Sequence, residues 1–149
     1  IGKRPPVEAV WYTGRMMGEV VAQTLCGKRT AYNPSHWFNS AKFLDIEYQT
    51  YGWVFPKRSC PDYEQHFHWR YPELKICITM SYHKDTRQFL GINTFGIRMR
   101  HEVFDRWLTE ERNIDYVVAH LKEVNFDPEF FKNYENEILN SFKEQFVEV

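Results

Sequence analysis

His66 and His68 occupy alternate positions of a short run that reads as a strand, so both imidazoles leave one face and could share a metal ion. No third ligand is signalled by the spacing, so the expectation is two solvent-facing histidines and no metal site. Asp45 and Glu47 repeat the geometry with carboxylates, a pair that could exchange protons, although a solvated strand face is the simpler reading. Arg98, Arg100 and His101 cluster at a predicted strand-to-helix junction, where they could meet an anion or remain a surface charge cluster. The glycines of GINTFG lack the spacing and the strand-loop-helix setting of a dinucleotide fingerprint, which leaves a bulge or a close approach of two backbones. Cys26, Cys60 and Cys77 form neither an even framework nor a CxxC, and read as reduced thiols in a cytoplasmic protein.

The formal net charge of -1 and the absence of a polybasic run argue against a nucleic-acid partner. No apolar stretch is long enough for a bilayer span, so no membrane partner is expected. Aromatic residues make up 17% of 149 positions, a share that calls for extensive packed surfaces and leaves rings available to cover a flat ligand.

These residues must be positioned by an α+β fold. Val7, Val10, Trp11, Gly14, Gly18, Val21 and Leu25 recur at helical spacing, predicting a helix from about Pro6 to Cys26 that Gly27 ends. Two glycines in that stripe each cost about 1 kcal/mol relative to alanine, so a close partner is expected there, and none is announced in the rest of the chain. Ile1 stands where an initiator methionine is expected; the chain therefore reads as the C-terminal piece of a larger protein, with residues 1–27 the last helix of a neighbouring domain.

Residues 28–41 read as a connector carrying the aromatic pair Trp37-Phe38 among polar neighbours. From Lys42 the period becomes two: Leu44, Ile46, Tyr48 and Thr50 alternate with polar residues until Gly52. Phe67, Trp69 and Tyr71, then Ile76, Ile78, Met80 and Tyr82, then Phe89 to Ile97 give further strands, predicting an antiparallel meander of about four. His101 to Arg112 places Val103, Phe104, Trp107 and Leu108 on one side of a helix, and Asn113 caps a second bearing Val117, Val118 and Leu121. Asp127-Pro128-Glu129 starts a last helix that buries Phe131, Tyr134, Ile138, Phe142 and Phe146. Residues 42–149 thus form one α+β domain.

The order of a Pro-led helix (RPPVEAVWYTGRMMGEVVAQTLCG), a connector ending NPSHWFNSAKF, a strand closing in IEYQTYG, a meander reaching FLGINTFG and a helix opening RHEVFDRWL resembles the C-terminal part of FAD- and NAD(P)-dependent pyridine-nucleotide oxidoreductases. The ferredoxin-reductase branch is the nearest. The resemblance covers roughly residues 1–124, and residues 127–149 form a longer tail than is usual there. It implies that the first turn of the leading helix, here Val7, Glu8 and Ala9, presents backbone N–H groups to the flavin pyrimidine, and that Trp37 and Phe38 match the aromatic loop beside the isoalloxazine. A second aromatic of that loop is replaced by Asn39, and His101 is followed by Glu102 rather than the proline of glutathione-reductase-like members. With no redox cysteine pair, disulfide reduction is not expected.

The resemblance implies a parent enzyme that passes hydride from NAD(P)H to FAD and on to an unidentified acceptor. This region then walls the flavin and contributes to a homo-oligomeric interface, while the remainder of its own flavoenzyme supplies the nucleotide-binding motifs. No flavin is expected on this piece alone. The other reading is a stand-alone α+β module that binds a small ligand.

Overall fold

The computed structural model describes residues 7–126 and 132–147, which divide into two compact units, residues 1–35 and 36–149. The expected helix-start signal at Asp127-Pro128-Glu129, together with Phe131 and Pro6, lies outside the described residues.

The first unit holds helix α1, Trp11–Leu25. It opens later than the stripe suggested, because Val10 is extended (φ -126°, ψ 132°) and Thr13 Oγ1 donates back to the Val10 carbonyl at 2.9 Å. Val7, Glu8 and Ala9 therefore precede the helix rather than form its first turn. Its end follows expectation: Gly27 has φ +88°, the Gly27 N–H donates to Thr24 O and the Lys28 N–H to Gln23 O, so two last-turn carbonyls are satisfied by a left-handed cap. Val7, Trp11, Val21 and Leu25 are exposed, and a Cβ on Gly14 or Gly18 would meet nothing within 4 Å.

The second unit is an antiparallel sheet covered by helices, the α+β class expected. Strands β1 (Phe38–Phe43), β2 (Ile46–Gly52), β3 (Glu64–Arg70), β4 (Cys77–His83) and β5 (Phe89–Phe95) lie in the order β1-β2-β5-β4-β3. Among the described residues there are five strands rather than about four, because the segment read as one strand from Lys42 is a hairpin. Leu44, at φ +53° and 96% exposed, sits in its turn, and β1 consumes the second half of the expected connector. β3, β4 and β5 form a meander. The β1–β2 hairpin joins it through β2 and β5, so the chain between β2 and β3 must carry from mid-sheet to the far edge.

The inner face of β2 also differs from the alternation in the sequence. Gln49 and Tyr51 are buried, whereas Ile46, Tyr48 and Thr50 are half-buried. Two polar side chains can occupy that face because the backbone of one residue serves both: the Met99 N–H donates to Gln49 Oε1 at 2.8 Å and the Tyr51 hydroxyl donates to Met99 O at 3.1 Å. Burial, with lesser repulsion from Glu102 and Glu47, pushes the Tyr51 phenol above the usual tyrosine range, so it stays a donor. The strand pairs β3–β4–β5 follow the pattern read from sequence, with Phe67 opposite Met80, Trp69 opposite Ile78 and Met80 opposite Ile92, all buried. A register shift at Ser81/Tyr82 returns Phe89 to the inner face opposite Tyr82.

Helices α2 (His101–Thr109), α3 (Ile114–Ala119) and α4 (Glu135–Val147) cover that face. α2 buries Val103, Phe104, Trp107 and Leu108 and packs on β2 and β5, with Phe104 stacked on Tyr51 at 5.0 Å. Asn113 caps α3, its side chain accepting from the Tyr116 N–H at 2.8 Å. α4 packs on β3: Phe142 meets Phe67 edge-on at 5.1 Å, and Tyr134, just before it, lies 5.8 Å from Trp69. Burial of some twenty apolar side chains at about 1.5–3 kcal/mol each is the main favourable term holding this unit together.

Candidate functional site

Trp37 and Phe38 enter β1 as neighbours and part company there. Phe38 stacks on Tyr51 at 5.6 Å and on the His101 imidazole at 4.8 Å, which ties it to the sheet-α2 core. Trp37 instead stacks on Trp53 at 5.4 Å with planes 12° apart, and Trp53 stacks in turn on Phe55 at 6.3 Å. The Trp37 carbonyl accepts the Gly52 N–H at 2.7 Å, which locks the start of β1 beside the end of β2. The expected aromatic pair is thus one core ring and one member of a half-buried ladder, Trp37-Trp53-Phe55. Its second and third rings, Trp53 and Phe55, were not singled out by the sequence pattern. Val7, Glu8 and Ala9 belong to the other compact unit.

Trp53 is positioned by the glycines that precede and oppose it. Gly52 leaves β2 with φ +67°, and the Trp53 N–H donates to Leu90 O at 3.1 Å. A Cβ on Gly91 would stand 2.7 Å from both Trp53 N and Tyr51 O, so only glycine admits this crossing. Of the two readings left open for the GINTFG glycines, Gly91 is a close approach of backbones.

The segment between β2 and β3 brings a second constellation together. Glu64 opens β3 with its side chain only 1% exposed, and its Oε1 accepts from Ser81 Oγ at 2.6 Å, lies 2.7 Å from His66 Nε2 and accepts weakly from the Phe55 N–H at 3.4 Å. Cys60 Sγ lies 3.8 Å from the same His66 nitrogen and donates to Glu64 O at 3.6 Å. Burial, then the Glu64 and Asp62 carboxylates, pushes the Cys60 thiol up, so it is not an activated nucleophile. His68, the expected companion of His66, is taken by Thr79 Oγ1 at 2.9 Å. Sequence spacing missed Cys60 because its loop, and not strand alternation, carries it to the histidine.

The other candidates resolve into ion pairs. Asp45 meets Lys75 Nζ at 2.8 Å, and that hydrogen bond holds its carboxyl below the usual range; Glu47 meets Arg98 at 2.8 Å. Each carboxylate has its own cation, so they do not act as a pair. Arg98 also lies over the Phe126 ring, while the His101 ring stacks on Phe38 and its Nδ1 lies 3.5 Å from Glu102, so these two members of the basic cluster have separate partners.

No protein-family model matches the sequence, and no curated protein does. Solved structures do match in fold. One is an FAD-dependent pyridine nucleotide-disulphide oxidoreductase from Desulfovibrio vulgaris, similar at a TM-score of 0.56 and 15% identity over 86% of this chain and 31% of that one. Another is an NAD-dependent persulfide reductase from A. fulgidus, at 0.57 and 14% over 87% of this chain and 26% of that one. The chain thus spans about a quarter to a third of the length of these enzymes. Among the described residues no helix is long and apolar enough to cross a membrane.

Proposed function

We propose that this chain is the C-terminal region of an FAD-dependent NAD(P)H oxidoreductase, nearest the ferredoxin-reductase branch. The supporting observation is that the chain, over nearly its whole length, shares its fold with part of two much longer pyridine-nucleotide enzymes. Residues 1–27 complete the FAD-binding domain, residues 28–41 connect, and residues 42–149 form the interface domain of a homo-oligomer. The enzyme is cytoplasmic. FAD carries the redox chemistry between the nicotinamide and the acceptor.

Within that reading Val7, Glu8 and Ala9 supply backbone donors toward the flavin, and Trp37 and Phe38 form an aromatic wall. In this reading the two rings divide the work. Phe38, stacked on Tyr51 and His101, supports the wall from the sheet side, and Trp37, stacked on Trp53, is the ring assigned to the cofactor. The exposed stripe of Val7, Trp11, Val21 and Leu25, with two open glycines, is the surface on which the rest of the FAD domain packs.

The test is to extend the reading frame upstream of Ile1 and purify both the longer protein and this chain. The longer protein is expected to be yellow and to oxidise NADH or NADPH; this chain is expected to be colourless. A frame without nucleotide-binding glycine motifs, or a stoichiometric flavin spectrum from this chain alone, overturns the proposal.

A further inference from the structure

We propose that Cys60, Glu64 and His66 form a binding site for a divalent zinc ion that pins the loop after β2 to the first residues of β3. The cysteine sulfur, a carboxylate oxygen and an imidazole nitrogen all lie within 4.8 Å of one another. Tetrahedral zinc, with bonds of about 2.3 Å to sulfur and about 2.0–2.1 Å to nitrogen and oxygen, sets its ligands roughly 3.3–3.6 Å apart. The sulfur-nitrogen separation is 3.8 Å, and the nitrogen-oxygen separation of 2.7 Å needs to open by only about 0.6 Å to reach the lower end of that range.

The donor orientation distinguishes this cluster from a catalytic triad. In a triad one imidazole nitrogen meets the nucleophile and the other meets the carboxylate. Here the thiol and the carboxylate both converge on Nε2, the arrangement of groups around a shared cation. Mixed sulfur, nitrogen and oxygen donors suit zinc and disfavour magnesium or calcium, which take oxygen. Ser81 and the Phe55 N–H hold the Glu64 carboxylate in place, a support that metal-binding carboxylates require. The His66 side chain is 24% exposed, so an ion can enter and water can complete the fourth position.

The probe is cobalt(II), titrated into the whole chain after metal removal and then displaced with zinc. The expected result is one cobalt per chain with an intense thiolate-to-cobalt charge-transfer band, lost in Cys60→Ser and weakened at least tenfold in His66→Gln. Cys26→Ser and Cys77→Ser are expected to retain the band. Zinc is also expected to raise the melting temperature of the parent chain but not of His66→Gln, which keeps the test decisive if Cys60→Ser folds poorly. Absence of the band in the parent chain, or its survival in Cys60→Ser, shows that the three residues are only a hydrogen-bonded cluster.

Discussion

Arg87 grips Asp115 with two parallel hydrogen bonds, Nε to Oδ2 at 2.7 Å and Nη2 to Oδ1 at 2.6 Å, joining the β4–β5 turn to the start of α3. Arg87 holds a left-handed backbone (φ +58°) while its guanidinium lies 4.6 Å from the Phe146 ring centre, so one side chain links a turn, α3 and α4. The hydrogen bond from Arg87 lowers the Asp115 carboxyl below the usual aspartate range. A depressed carboxyl stabilises the fold above its unfolded value, about 3.9, and that contribution disappears as the pH falls through the lower folded value. Asp115→Asn is therefore expected to destabilise the fold at pH 7 by roughly 0.5–1 kcal/mol after solvent screening, read as a lower melting temperature, and to match the parent chain in strong acid. An equal difference at pH 7 and pH 2 contradicts the pairing.

Gly91 and the pair Gly14 and Gly18 are expected to respond in opposite directions to alanine. At Gly91 the new Cβ meets backbone atoms of Trp53 and Tyr51 at 2.7 Å, which cannot move without parting β2 from β5, so Gly91→Ala costs about 1–3 kcal/mol. At Gly14 and Gly18 the space is open, and alanine at both positions gains up to about 2 kcal/mol of helix propensity. Circular dichroism melts of the chain separate the outcomes. In the longer flavoenzyme the same helix substitutions are expected to weaken flavin retention, because the partner that needs close approach is then present.

Trp37→Ala in the flavoenzyme is expected to change flavin fluorescence or the reduction rate while the fold loses no more than about 1.5 kcal/mol, the scale of its stack on Trp53. Stopped-flow reduction by NADH or NADPH reads the first and chemical denaturation the second. Unfolding with unchanged flavin spectra in the remaining native protein assigns Trp37 to packing alone.

Asn113→Ala removes the side-chain acceptor for the Tyr116 N–H and is expected to destabilise the second unit by about 1 kcal/mol, with Asn113→Asp retaining most of the cap. Urea midpoints at constant slope test both.

The helices α2 and α3 and the inner faces of β3 and β4 were legible as residues because apolar spacing reports one packed face, as at Val103, Phe104, Trp107 and Leu108 or at Ile78, Met80 and Tyr82. Gly27 likewise marked the end of α1, since a left-handed cap needs a residue without Cβ. Tertiary structure decided what periodicity could not express. Leu44 looked like a strand residue and became a hairpin turn. Gln49 and Tyr51 displaced the more apolar parity of β2 because the backbone of a distant residue, Met99, satisfies both. Trp37 and Phe38 were adjacent letters whose rings found partners sixteen and thirteen residues away, at Trp53 and Tyr51. Cys60 reached His66 through a loop, which strand alternation does not describe. Local periodicity encodes which face of an element is buried; which elements meet, and which polar groups that meeting can satisfy, is settled only when the chain closes on itself.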